Sequence, residues 1–221
     1  MNVLGIDTST ASSVAAVLRD DGASFERRPH TTDLLGPPTH SRDLLPGAAV
    51  VLDEACLDWS DLDCVAVGIG PGAFTGLRIG VSTARALASS HALALRPVSS
   101  LAALAAGIEA PLRLPLIDAR RGEVFAALYQ EERELWPAFA ATPEALLKRL
   151  PDAPGTPLAA GTGSLRFSQV LQAGGVWIAP AGSGSHAPSA LAVCRLGLSA
   201  EPTSIETALP HYLREPDAQP Q

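Results

Sequence analysis

The sequence predicts an α/β protein of two tandem lobes, each a mixed sheet with helices in the order β-β-β-α-β-α-β-α, on three observations. Short apolar runs rich in β-branched residues, at 3–7, 13–18 and 64–68, alternate with stretches of helical periodicity. Glycine and proline clusters punctuate them where a strand must end in a sharp turn. The opening pattern then returns: Ile6, Asp7, Ala15 and Ala16 match Ile117, Asp118, Ala126 and Ala127 at a constant offset of 111 residues. These identities fall at corresponding points of two strand-turn-strand units and mark an internal duplication. The expected lobes are residues 1–106 and 107–221.

A chain of 221 residues with 47% hydrophobic and 18% charged residues has enough apolar side chain to fill a substantial core, which excludes a disordered polymer. The formal net charge of -7 argues against a protein that grips nucleic acid alone, because that affinity comes from cationic neutralisation of phosphates. Any tRNA contact is expected through a partner. No run of about 18 apolar residues is present and the N-terminus enters a strand directly, so no membrane association and a cytoplasmic location are expected. Cys56, Cys64 and Cys194 are scattered among apolar residues and read as reduced core thiols.

In chain order, residues 3–7 and 13–18 are strands joined by a turn at Asp7-Thr8-Ser9-Thr10, and Asp20-Asp21-Gly22 turns into a third at residues 23–28, giving an antiparallel meander. After a Thr- and Pro-rich loop over residues 30–39, residues 41–56 form a helix with Ser41 as N-cap and Pro46 as a possible kink. Leu44, Ala48, Val51, Leu52 and Ala55 share one face of it. Leu45, Ala49 and Cys56 form a second apolar stripe beside the first, a wider arc than one core contact needs.

Residues 67–88 join a buried strand, a glycine turn and a smooth helix. Gly76, Gly80, Ala84 and Ala88 recur every fourth residue, so one helix face carries almost no side chain and admits another backbone closely. Glycine costs about 1 kcal/mol relative to alanine inside a helix. Gly76 and Gly80 therefore require a compensating close approach. The turn Gly68-Ile69-Gly70-Pro71-Gly72 is not a dinucleotide fingerprint, because Ala73 stands at the last glycine position, and no lysine follows to make a P-loop. It reads as a tight strand-to-helix connection, with Thr75 as a cap and Phe74 as a staple or an outward contact.

A strand at residues 96–98 and a helix at residues 100–106 complete the first lobe. In the second, residues 116–121 and 123–128 repeat the opening strands and residues 133–136 supply a third. Thr142 caps a helix at 143–150. Strands at 158–161 and 176–178 flank a helix near 165–172, and residues 189–198 are the last helix before a frayed tail at 215–221.

Two such lobes, each opened by an aspartate at the end of its first strand, resemble the actin, Hsp70 and sugar-kinase (ASKHA) fold, in which the lobes close over a nucleotide. A closer resemblance rests on six motifs spread along the whole chain. They are I-D-T-S-T at residues 6–10; H-S at His40 and Ser41 with L-L-P at 44–46; and G-x-G-P-G-x-F-T-G-L-R-I-G at 68–80. V-S-S-L at 98–101, D-A-R at 118–120 with Glu123 and Val124, and P-x-Y-L-R at 210–214 complete the set. Together they resemble the bacterial tRNA threonylcarbamoyladenosine biosynthesis family TsaB, also called YeaZ. That resemblance implies a noncatalytic member of the machinery that installs threonylcarbamoyl on adenosine 37 of tRNA. Its catalytic paralogue TsaD carries the transferase and metal chemistry, the TsaE ATPase binds the pair, and the chain forms homodimers when TsaD is missing.

The residues agree with a noncatalytic role. A nucleotide cleft of this fold needs glycine in its phosphate hairpins, because backbone N-H groups must reach the phosphates. Here Asp7, Thr8 and Ser9 place a serine in the first hairpin, and the second, Asp118, Ala119, Arg120 and Arg121 before Glu123, has arginines. With Gly70, Pro71 and Gly72 these residues form an expected degenerate cleft. The guanidiniums could still meet a phosphate or a partner's carboxylate, and for Arg121 a solvated turn residue is an equal reading.

His30, His40, His91, His186 and His211 offer no H-x-x-x-H or H-E-x-x-H pair, and residues 99–104, where the paralogue is expected to carry its metal helix, hold only Ser, Ala and Leu. No intrinsic cofactor is expected, with ATP and metal on the partner subunits. A relay from His40, Ser41 and Asp43 is poor, since helix neighbours do not align as one. The expected partner interface comprises His40, Ser41, Leu44, Leu45, Ala48, Val51 and Leu52 of one helix with Phe74, Thr75, Leu77, Gly80, Val81, Ala84 and Leu87 of the next. The competing reading is an active ATP-dependent transferase or kinase, which predicts nucleotide binding by the isolated chain.

Overall fold

A computed structural model describes residues 1–29 and 34–214. Five strands form the first sheet: β1 (Val3–Asp7), β2 (Val14–Leu18), β3 (Ser24–Arg27), β4 (Cys64–Gly70) and β5 (Ala94–Ser99), in spatial order β3-β2-β1-β4-β5. The second holds β6 (Leu112–Arg120), β7 (Glu123–Gln130), β8 (Arg133–Ala141), β9 (Leu158–Ala160) and β10 (Trp177–Ile178), in order β8-β7-β6-β9-β10. Each sheet is an antiparallel meander extended by two parallel strands, so the duplication legible in the sequence is one of topology.

The register is not duplicated as the offset implied. Ile6 pairs with Ala15, whereas Ile117 pairs with Phe125 and Ala126 faces Leu116. A register shift between Asp118 and Arg120 takes up the difference of one residue. The alanine identities are thus not register equivalents, while the two aspartates close their strands alike.

One face of the first sheet, with Leu4, Ile6, Val17, Val65 and Val67, is covered by α1 (His40–Glu54) and α2 (Phe74–His91). The periodicity of both helices holds: Leu44, Ala48, Val51, Leu52 and Ala55 of α1 are buried, and α1 runs continuously through Pro46. The caps differ from expectation. Helix α1 starts at His40 behind Thr39, leaving Ser41 exposed, and α2 starts at Phe74 behind Ala73, so Thr75 lies inside the helix. The loop expected over 30–39 lies partly, and His30 and the tail at 215–221 wholly, outside the described residues.

The other face of the first sheet, with Val3, Val14, Ala16, Cys64 and Ala66, is covered by α7 (Ala190–Ser199), with Ala103 of α3 (Ser100–Ala106) beside it. Gly5 and Gly197 permit the approach of α7, since a β-carbon on Gly5 would lie 2.5 Å from Ala190 O and one on Gly197 2.5 Å from Ala66 Cβ. Conversely Leu101 and Leu104 of α3 pack with Ile117, Ala119, Phe125 and Ala127 of the second sheet. The last strand of the first sheet ends at Ser99 and the second sheet begins at Leu112, and the helices cross between them: α3 reaches the second sheet and α7 covers the first.

In the second lobe Thr142 caps α4 (Pro143–Arg149), its hydroxyl accepting from Ala145 N, and Ser189 caps α7 in the same way. The helix expected near residues 165–172 is two short ones, α5 (Thr162–Arg166) and α6 (Ser168–Ala173), and β8 extends well past residue 136. Cys64 and Cys194 are buried, whereas Cys56 is exposed at the end of α1, a correction to the core-thiol expectation. No helix among the described residues is long and apolar enough to cross a membrane.

Candidate functional site

The two hairpins that open the lobes and the glycine turn after β4 come together, with direct contacts between the first hairpin and the turn. Asp7 ends β1 fully buried. Its Oδ1 accepts from Ser9 N at 2.7 Å and Ser9 Oγ at 2.6 Å, and its Oδ2 from Ser100 Oγ at 2.6 Å. Burial pushes the Asp7 carboxyl above its usual value; the bonds from Ser100 and Ser9 and the nearby His40 pull the other way without cancelling it. Ser100 Oγ accepts in turn from Gly70 N at 3.1 Å, so one hydroxyl joins the hairpin to the glycine turn.

The glycines serve this internal contact. A β-carbon on Gly68 would fall 1.8 Å from Asp7 Oδ2, and one on Gly72 2.5 Å from Ser9 Cβ, while Ala73 N donates to Ser9 O at 2.8 Å. The small-residue face of α2 meets the same hairpin. A β-carbon on Gly76 would lie 2.1 Å from Thr8 O, and Thr8 Oγ1 donates to Gly76 O at 2.8 Å. The close backbone foreseen for this face is therefore the chain's own.

The second hairpin turns through Arg120, Arg121 and Gly122, all at positive φ (62°, 53° and 79°). Asp118 Oδ1 accepts from Arg120 N at 2.9 Å, and its Oδ2 lies 3.3 Å from Arg166 Nη1 and 3.4 Å from Arg120 Nη1. Thr162 Oγ1 accepts from Asp118 N at 3.0 Å. Between the hairpins, among Ser9, Thr10, Ala73, Asp118, Thr162 and Arg166, remains a cavity of about 20 Å³. That is room for one water, against the roughly 300 Å³ or more of a small-molecule pocket.

The expected partner residues separate into core and surface. His40, Leu44, Ala48, Val51, Leu52, Leu77, Gly80, Val81 and Ala84 are buried, because these sides of α1 and α2 face the sheet and the first hairpin. Ser41, Leu45 and Thr75 are exposed, and Phe74 and Leu87 are half-buried. Leu45 (49% exposed), Ala49 and Val50 form an apolar stripe on the outer side of α1. On α2 a second run of small residues, Thr75, Ser82, Ala86 and Ser89, faces outward. His40 bonds Ser13 rather than Ser41, with Nδ1 and Oγ 3.0 Å apart, and burial pushes its imidazole pKa down.

Sequence reasoning passed over Ser100, Thr162 and Arg166 as site residues. A hydroxyl opening the otherwise apolar α3 was the available signal for Ser100, and none marked the other two. It left the P-x-Y-L-R tail and Glu123 without a role, and the structure joins them: Arg214 donates to Glu123 Oε2 at 2.5 Å. No group of three or more potential ligands placed to hold a metal occurs among the described residues.

Fold and cleft together define a two-lobed protein of the ASKHA architecture. Residues 37–176, more than half of the chain, match the family described as TsaD, tRNA N6-adenosine threonylcarbamoyltransferase. The chain is 38% identical over 137 residues to the tRNA threonylcarbamoyladenosine biosynthesis protein TsaB of Bacillus subtilis, covering 61% of this chain and 58% of that one. With the Escherichia coli protein of the same name it shares 34% over 174 residues, 74% of this chain and 72% of that one. A solved structure, YeaZ from Pseudomonas aeruginosa, superposes with a TM-score of 0.80 at 31% identity, covering 96% of this chain and 99% of that one. The chain belongs to the TsaB (YeaZ) family.

Proposed function

We propose that the chain acts in threonylcarbamoyladenosine biosynthesis as a noncatalytic cytoplasmic subunit that pairs with a TsaD-type transferase through the outer sides of α1 and α2. The pathway reading rests on family membership, since relatives carry that name. The noncatalytic reading is supported by one observation: the Asp7 carboxylate at the end of β1 is taken up by Ser9 and Ser100, and the cavity between the two hairpins among the described residues is about 20 Å³. ATP and metal then belong to the partner subunits, the TsaE ATPase joins the pair, and tRNA meets this chain only through the complex.

The pairing reading is supported by the exposed apolar stripe Leu45, Ala49 and Val50 on α1 and the short outward side chains Ser82, Ala86 and Ser89 on α2, which suit helix-on-helix packing. In isolation the same surface would pair two copies of the chain.

The test is reconstitution of the tRNA modification with transferase and ATPase, with and without this chain and with Leu45→Glu. Modification is expected to require the chain, and Leu45→Glu to abolish co-purification with the transferase while leaving the fold intact. Undiminished pairing would overturn the interface. Calorimetry with ATP and magnesium tests the cleft separately, and tight binding by the isolated chain would favour an active transferase or kinase.

A further inference from the structure

The chain beyond α7 returns across both lobes. Thr203 bridges to Leu95 of β5, its N-H donating to Leu95 O at 2.9 Å, and His211 N donates to Ile69 O at 2.7 Å at the end of β4. Tyr212 then lies against Phe74, ring centroids 5.0 Å apart, and the Arg78 guanidinium sits 4.4 Å from the Phe74 ring on α2. All of these partners belong to the first lobe. Leu213 packs, half-buried, against the cluster that joins Leu101 and Leu104 of α3 to Ile117, Ala119 and Phe125. Arg214 donates to Glu123 Oε2 at 2.5 Å and to Ala119 O at 2.9 Å, both in the second lobe.

Four consecutive residues thus hold a backbone bond and a ring contact on one lobe and two charge-assisted bonds on the other, with a half-buried leucine between them. An extended chain spans at most about 3.6 Å per residue. The lobes cannot separate by more than a few ångströms here unless one set of contacts breaks. Each set raises the effective concentration of the other, as in any two-site ligand on a short linker. The receiving surface is shaped for the segment: a β-carbon on Gly70, which sits at φ +114°, would lie 2.9 Å from His211 O.

We propose that Gly70, Phe74, Ala119 and Glu123 line a peptide-binding groove spanning both lobes, and that residues 210–214 of the same chain are its ligand. The segment locks the lobes in one orientation, the role a nucleotide plays where the cleft is open.

Hydrogen exchange of the full chain tests this with the double variant Tyr212→Ala/Arg214→Ala. Exchange is expected to rise tenfold or more in both residues 68–76 and residues 117–124, with the cores of β1 and β7 unchanged. Acceleration in neither segment, or in one lobe alone, would overturn the lock. A synthetic peptide of residues 208–214 at millimolar concentration is expected to restore protection to the variant, and the same peptide with both alanines is not. Restoration by both peptides, or by neither, would overturn the groove. Arg214→Lys keeps the charge but cannot bond Glu123 and Ala119 O as a fork, and is expected to accelerate exchange to an intermediate degree.

Discussion

Thr8 and Gly80 are in contact across the hairpin-helix boundary: a β-carbon on Gly80 would fall 2.2 Å from Thr8 Oγ1. Gly80→Ala gains about 1 kcal/mol in helix propensity and loses about 1–3 kcal/mol to overpacking. A net loss of about 0–2 kcal/mol is expected by urea denaturation. In a Thr8→Ala background, which removes the offending oxygen, the same substitution becomes neutral or stabilising. An additive double-mutant cycle would show that this contact is not what keeps the position a glycine.

Asp7 predicts a signature in the pH dependence of stability. Its folded carboxyl is pushed above the ordinary 3.8, chiefly by burial, so the folded state holds this proton more tightly than the unfolded state. Stability from this group is therefore greatest below pH 3.8, falls as pH rises from 3.8 through the raised folded value, and is constant above it. Asp7→Asn removes the titration. The melting temperature of the variant minus that of the wild type should climb across this window, and a flat difference would mean that the hydrogen bonds offset burial in full.

Ser100→Ala withdraws a donor from Asp7 Oδ2 and an acceptor from Gly70 N in a site with no exposed surface. A loss of about 2–4 kcal/mol is expected from leaving a buried carboxylate and amide short of partners. Chemical denaturation measures it, and a loss under about 0.5 kcal/mol would show that another group replaces the hydroxyl.

The three thiols should divide by burial. Cys194 is pushed up to about 12 by desolvation and Cys64 is raised for the same reason, while Cys56 is exposed. A thiol-disulfide reagent at pH 8 is expected to titrate one cysteine rapidly in the native chain and all three after unfolding. Rapid reaction of Cys194 would indicate that α7 opens from the first sheet.

Adjacent leucines on α1 should respond oppositely to charge. Leu44 is 3% and Leu45 49% exposed. Leu44→Glu buries an unpaired carboxylate and is expected to unfold the lobe, whereas Leu45→Glu should change stability by less than about 0.5 kcal/mol. Thermal melts of the two variants decide this.

Most of the secondary structure was legible because local rules govern it. Period-2 and period-3.6 apolar patterns placed the sheets and helices, and hydroxyl caps at Thr142 and Ser189 fixed two helix starts. The caps of α1 and α2 were misplaced because neither N-cap residue, Thr39 or Ala73, makes a side-chain cap hydrogen bond. In the candidate site the hairpins themselves could be read from the turn residues that follow Asp7 and Asp118. The partner of Asp7 lies 93 positions away at Ser100, a separation that no local pattern encodes.

By itself the sequence determined that there are two lobes, that each opens with an aspartate-ended strand, and that one face of α2 must lie against another backbone. Whose backbone was decided only by tertiary structure. The requirement of Gly76 and Gly80 for close approach is a property of the helix alone, and a partner helix would satisfy it as well as Thr8 does. The choice depends on where β1 delivers its hairpin, which is set by the parallel pairing of Ile6 with Val67. That pairing places Asp7 beside Ser100 and turns to solvent the other side of α2 with Thr75, Ser82 and Ala86.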